Sequence, residues 1–119
     1  MRLRVETMDK ITVALLLTAA FSAAAGQLFF KIGATGKERF LDFINMPVAA
    51  GLALYAISTI LWIYVLSGEK LVNVYAFTAL SFVLVFLGSG LLLGEEITLP
   101  AIGGVLLVLS GLYIITTFN

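Results

Sequence analysis

Ala19, Ala23, Gln27 and Lys31 follow one another at steps of four, so on a helix they form a single stripe, flanked by Ser22 and Gly26. A smooth wall ending in an amide and a fixed positive charge suits an anionic headgroup. The same residues also suit packing. Ala, Gly and Ser faces let membrane helices approach closely, Gln bonds across helices, and a Lys at a helix end can reach its charge to the interface. Two further sets offer polar tips. "ALYAISTILWIYVLSG" carries Tyr55, Ser58, Trp62 and Tyr64, the last two near a span end where an aromatic belt is expected. "LVNVYAFTALSFVLVFLGSGLLLG" puts Tyr75, Thr78 and Ser81 on roughly one face, as a cavity wall or as a packing seam.

Other chemistries are closed to this chain. It has no cysteine for a disulfide or thiolate site and no histidine to carry protons near neutral pH. The seven acids, Glu6, Asp9, Glu38, Asp42, Glu69, Glu95 and Glu96, all fall in ends or loops, so no span holds the mid-depth carboxylate that usually handles protons or cations. No nucleophile–base pair and no metal-ligand set can be assembled, so neither an enzyme, a metal nor a cofactor is expected. With zero net charge and no basic run, nucleic acid is not an expected partner.

The elements that must position these residues follow from composition. Of 119 residues, 61% are hydrophobic and only 12% charged, with a mean hydropathy of +1.13. A soluble domain this small cannot bury so much apolar surface, so lipid must be the solvent. A bilayer core needs about 20 apolar residues as a helix. Four such runs occur: Ile11–Phe30, Pro47–Leu66, Leu71–Leu93 and Leu99–Phe118. The expected fold is an all-α membrane protein, one four-helix transmembrane domain over residues 1–119. The opening "MRLRVETMDK" precedes a run too long for a signal-peptide core, so the first span is expected to be retained.

Residues 67–70 and 94–98 read as tight turns, making the second, third and fourth spans antiparallel neighbours. The longer first loop sets Phe40, Leu41 and Ile44 beside Glu38, Arg39 and Asp42, as an interfacial helix or a solvated loop would. Arg2, Arg4, Lys10 and Lys70 lie on one side and Lys31, Lys37 and Arg39 on the other, too even a split to fix orientation. In the last span Gly104 and Gly111 stand seven apart beside Gly103 and Ser110, a helix-association seam. One such chain is a thin bundle, so a dimer is the natural way to complete a cavity.

In this order, "GQLFFK", "LW" before a short turn, "VYAFTALSF" and "GEEITLPAIGGVLLVLSGLYII" resemble the drug/metabolite transporter superfamily in its four-helix form, from about Leu16 to Ile115. One branch, the small multidrug resistance exporters, shares the spacing of Gly26 and Lys31, a tyrosine at Tyr75 and the last helix's glycine seam. That likeness implies a small multidrug resistance-like bundle with the dimer contact at Gly104 and Gly111. The essential glutamate of that branch, three residues before the glycine, is replaced here by Ala23, and its glycine-rich kink by "TALSF". Both departures argue against proton-driven drug export. The chain is more similar to small flippase subunits for aminoarabinose linked to undecaprenyl phosphate, which share "AGQL" followed by lysine at Lys31, the separation of Trp62 from Tyr75, the pattern of Leu80 and Phe82, and the absence of the glutamate.

That resemblance implies a transporter or flippase moving a polyprenyl-phosphate-linked sugar across the inner (cytoplasmic) membrane. The membrane lipid is its partner, with a homodimer or a heterodimer with a similar small subunit. The implied substrate-binding residues are Gln27, Lys31, Trp62, Tyr75, Thr78 and Ser81, with Lys70 and Arg39 as weaker headgroup collectors. The alternatives are a small multidrug or metabolite exporter, or an accessory subunit of a larger membrane complex.

Overall fold

The computed structural model describes residues 9–118, so Arg2, Arg4 and Glu6 lie outside the described residues. The first helix, α1 (Lys10–Ala34), opens on Asp9, whose carboxylate accepts the Thr12 backbone N–H at 2.7 Å and takes up one of the helix's unpaired donors. Hydrogen bonds from Thr12 hold the Asp9 carboxyl below its ordinary value. The helix runs a turn past the expected end at Phe30, because the backbone remains bonded until Thr35 closes on the Lys31 carbonyl with both its N–H and its hydroxyl. Gly36 then takes φ of +76°, a region that favours glycine, and the chain leaves the helix axis.

The first loop holds one 3₁₀ turn, Phe40–Phe43, with Phe40, Leu41 and Ile44 exposed. Of the two readings open for this loop, the observed form is a short turn with unpaired apolar side chains. Asn45 fastens the loop. Its Oδ1 accepts the Val48 N–H at 3.0 Å, capping α2 (Met46–Leu66), while its Nδ2 donates to the carbonyls of Gly33 and Asp42, both at 2.9 Å. Pro47 sits in the first turn of α2, where its missing N–H costs nothing.

After the turn at 67–70 comes α3 (Leu71–Leu91). It ends two residues before the expected Leu93, where Leu92 bonds to the Gly88 carbonyl and Gly94 adopts φ of +73°. Finally, α4 (Leu99–Phe118) starts with Thr98 accepting the Ala101 N–H at 3.3 Å. The described residues contain no strand. α1, α2 and α3 are each long and apolar enough to cross a membrane, and Leu99–Ile115 of α4 is a shorter apolar run. The protein is a multi-pass helical membrane protein.

Helix α1 is the centre of the packing. Against α2 it runs antiparallel through a glycine seam: a Cβ on Gly51 would lie 2.7 Å from the Gly26 carbonyl oxygen, and one on Gly26 would lie 2.9 Å from that of Gly51. Lipid supplies little hydrophobic drive between helices, so this close approach gains its stability from dispersion contacts and from bonds such as the Ser22 hydroxyl to the Leu54 carbonyl, 2.6 Å. Against α3 it runs parallel, with Ser81 donating to the Ala20 carbonyl at 3.2 Å and Leu28 filling the space beside Gly88. Although a four-residue turn joins α2 and α3, they pack mainly on α1 and diverge from each other. The expectation that they are close neighbours is corrected accordingly. α4 leans chiefly on α3, with Ile97 against Gly90 at the turn, and most of its side chains are exposed.

Candidate functional site

The divergence of α2 and α3 leaves a cavity of about 360 Å³ with α1 as its back wall. Ala19, Ala20 and Ala23 make that wall smooth, and Gln27 sets an amide at its end. From α2 come Tyr55, Ser58, Thr59 and Trp62; from α3, Tyr75, Phe77, Thr78 and Ser81. Tyr55, Thr59, Tyr75 and Thr78 remain exposed, so the cavity is open to the side. Trp62 and Tyr75 meet edge-to-face with ring centroids 6.2 Å apart, a favoured aromatic geometry that ties the diverging helices together at one end. The Trp62 ring is half-buried and turned inward, while Tyr64 is 67% exposed, so of this pair only Tyr64 has the position of an interfacial belt residue.

Five of the six expected substrate-binding residues, Gln27, Trp62, Tyr75, Thr78 and Ser81, therefore surround one cavity. Lys31 does not line it. Each four-residue step along an α-helix turns the face by about 40°, so over the three steps from Ala19 the stripe swings by roughly 120°. Lys31 instead sits 3.9 Å from the Glu95 carboxylate in the α3–α4 turn, with both side chains about half exposed. A pair this open stabilises little, about 0–1 kcal/mol, and serves as a loose tether between α1 and that turn.

Sequence reading passed over Thr59 and left Tyr55 and Ser58 out of the site. Their spacing carried the signal: 55, 58 or 59 and 62 fall at i, i+3 or i+4 and i+7, one face of a helix. Ser22 and Gly26 belong to the seam with α2, as the packing reading of the stripe expects, while Ala19, Ala23 and Gln27 line the cavity on an adjacent face. The cavity lining includes no charged side chain. Its chemistry is that of neutral hydrogen bonding from an amide and hydroxyls, beside aromatic rings. Thr59 donates to the Tyr55 carbonyl at 2.9 Å and Ser81 to that of Ala20, which leaves their oxygens as acceptors. Among the described residues no group of His, Cys, Asp or Glu could hold a metal ion.

A second, apolar groove of about 690 Å³ lies between α3 and α4, with Leu71, Val72 and Phe82 on one side and Leu107, Val108 and Gly111 on the other. It shares Tyr75 and Thr78 with the polar cavity. Gly103, Gly104 and Gly111 have nothing within 4 Å of where a Cβ would stand, so the seam of α4 makes no close intrachain contact among the described residues.

No protein-family model, curated protein or solved structure matches this chain. The functional reading therefore rests on the cavity.

Proposed function

We propose that this chain is a four-span inner-membrane flippase subunit that moves a polyprenyl-phosphate-linked sugar between leaflets. The observation that carries the reading is the uncharged, hydrogen-bonding cavity with Gln27, Tyr75, Thr78 and Ser81 on its wall. A sugar crossing roughly 30 Å of hydrocarbon loses its water, and each hydroxyl left unpaired raises the barrier. An amide and hydroxyls along a side-open cleft replace that water while the hydrocarbon chain stays in lipid. The cavity's small volume and the bare glycine seam of α4 support a second copy, or a similar small subunit, joined through Gly104 and Gly111. Lys31, paired to Glu95 beyond the cavity, is the group that would exchange its carboxylate for the cargo's phosphate at the membrane surface.

The competing proton-driven exporter of cations has no carboxylate on the cavity wall to work with, since Ala23 occupies the corresponding face. The test is transbilayer movement of a fluorescent polyprenyl-phosphate hexose in reconstituted vesicles. Gln27→Ala with Lys31→Ala is expected to abolish movement while leaving the protein folded. Full movement by that double variant refutes the site, and proton release on adding a hydrophobic cation to the solubilised protein would favour the exporter.

A further inference from the structure

The polar cavity is closed at the end facing the 67–70 turn by an apolar cluster. Leu16, Val65 and Val74 form its buried centre, and Trp62 and Phe77, which also line the cavity, pack against it. On α3, next in sequence to Val74 of this cluster, lies a buried polar side chain. Asn73, beside Val74 and one turn before Phe77, is only 2% exposed, and neither its Nδ2 nor its Oδ1 has a hydrogen-bond partner. Among the described residues it is the side chain with both features. Buried amides are nearly always bonded, to protein or to ordered water. A leucine would fill the same space without leaving a donor and an acceptor bare. A buried amide with no partner in the chain is free to bond a group that the chain does not itself supply.

We infer that Asn73 is a polar station on the transport path, a binding position for a neutral hydroxyl group that becomes accessible when the Leu16–Val65–Val74 cluster parts toward the 67–70 face. The hydroxyl is that of water or of the cargo's sugar; both make the same bonds to an amide, one accepted by Oδ1 and one donated by Nδ2. The inference rests on the reading of the cavity as a transport path and adds the end of that path that the closed arrangement hides.

Because the chain has no cysteine, Asn73→Cys supplies a sole thiol that can be probed in the full-length protein in vesicles. The thiol is expected to react with a membrane-impermeant maleimide from the face carrying residues 67–70. Protection by the fluorescent polyprenyl-phosphate hexose marks the sugar as the amide's partner; labelling that the lipid leaves unchanged marks water. In the same vesicles Asn73→Leu is expected to lower transport at least tenfold, whereas Asn73→Ser, which keeps a hydrogen-bonding group, retains most of it. Either a thiol inert from both faces or undiminished transport by Asn73→Leu overturns the inference. If Gln27→Ala stops transport while Asn73→Leu does not, this station alone falls. If both variants transport fully, the reading of the cavity falls with it.

Discussion

At the scale of the residue, the cavity is lined by a few neutral polar groups whose neighbours decide which bonds each has left to offer. Gln27 and Thr78 stand exposed on opposite walls, whereas Ser81 gives its proton to the Ala20 carbonyl and so holds α3 to α1. Thr78→Val removes a hydroxyl at constant shape, and is expected to slow flipping of a lipid-linked sugar about 5- to 30-fold, equivalent to a hydrogen bond of about 1–2 kcal/mol, with the amount of folded protein unchanged. Initial rates in vesicles check it. Ser81→Ala should instead lower thermal stability, because it removes a tether between helices. At the mouth of α1, Asp9 provides a pH-dependent cap. Its carboxyl is held below the ordinary value by bonds from Thr12, so the cap's contribution is full above the ordinary carboxylate pKa and disappears as pH falls through the lowered one. Backbone shifts of residues 10–13 should report fraying of the first turn on acidification, and Asp9→Asn, which caps without titrating, should abolish that dependence.

At the scale of the element, α1 has two adjacent inner faces, and the seam on one of them determines the other. The glycine contact draws α2 onto α1 at Gly26 and Gly51, and this close approach places Tyr55 and Thr59 at the cavity rim. Gly51→Val puts side-chain atoms where the Gly26 carbonyl and the Phe30 ring already are, and is expected to cost about 1–3 kcal/mol. A lowered melting temperature in detergent, together with loss of transport, would be the signature; an unchanged one would mean that the seam is not close-packed. Much of this architecture was legible beforehand, since long apolar runs bounded by charges and turn residues leave the helices few other boundaries. The polar faces of α1 and α3 were legible from their spacing. Three things were not. Periodicity says that Ser22 and Gln27 point inward, but not that one meets a backbone and the other a cavity. The rotation that carries Lys31 away from the stripe accumulates only over several turns. Asn73 sits in an apolar stretch whose hydropathy hides it, and only its burial without partners marks it.

At the scale of the whole molecule, three helices make the cavity and the fourth leans on one of them, α3. α4 exposes Leu106, Leu107 and Tyr113, and among the described residues nothing lies within 4 Å of where a Cβ on Gly103, Gly104 or Gly111 would stand, so this helix contributes little to the fold on its own. That arrangement is understandable if α4 exists to join subunits. Gly104→Leu with Gly111→Leu is expected to leave the single chain folded, since a Cβ at either position meets no described atom within 4 Å, while sharply reducing cross-linked dimer in vesicles. A parent protein that is monomeric in lipid would contradict the joining role. The central claim concerns the cavity itself: a neutral, side-open cleft through which a sugar passes while its lipid chain does not. The most direct measurement is the transbilayer rate of a fluorescent polyprenyl-phosphate hexose in vesicles holding either the parent protein or Ala23→Phe, whose ring fills the cleft from the α1 wall, with and without a proton gradient. The account predicts movement well above that of protein-free vesicles, insensitive to the gradient, and abolished by Ala23→Phe. Movement no faster than in protein-free vesicles, or an undiminished rate with the cleft filled, would contradict it.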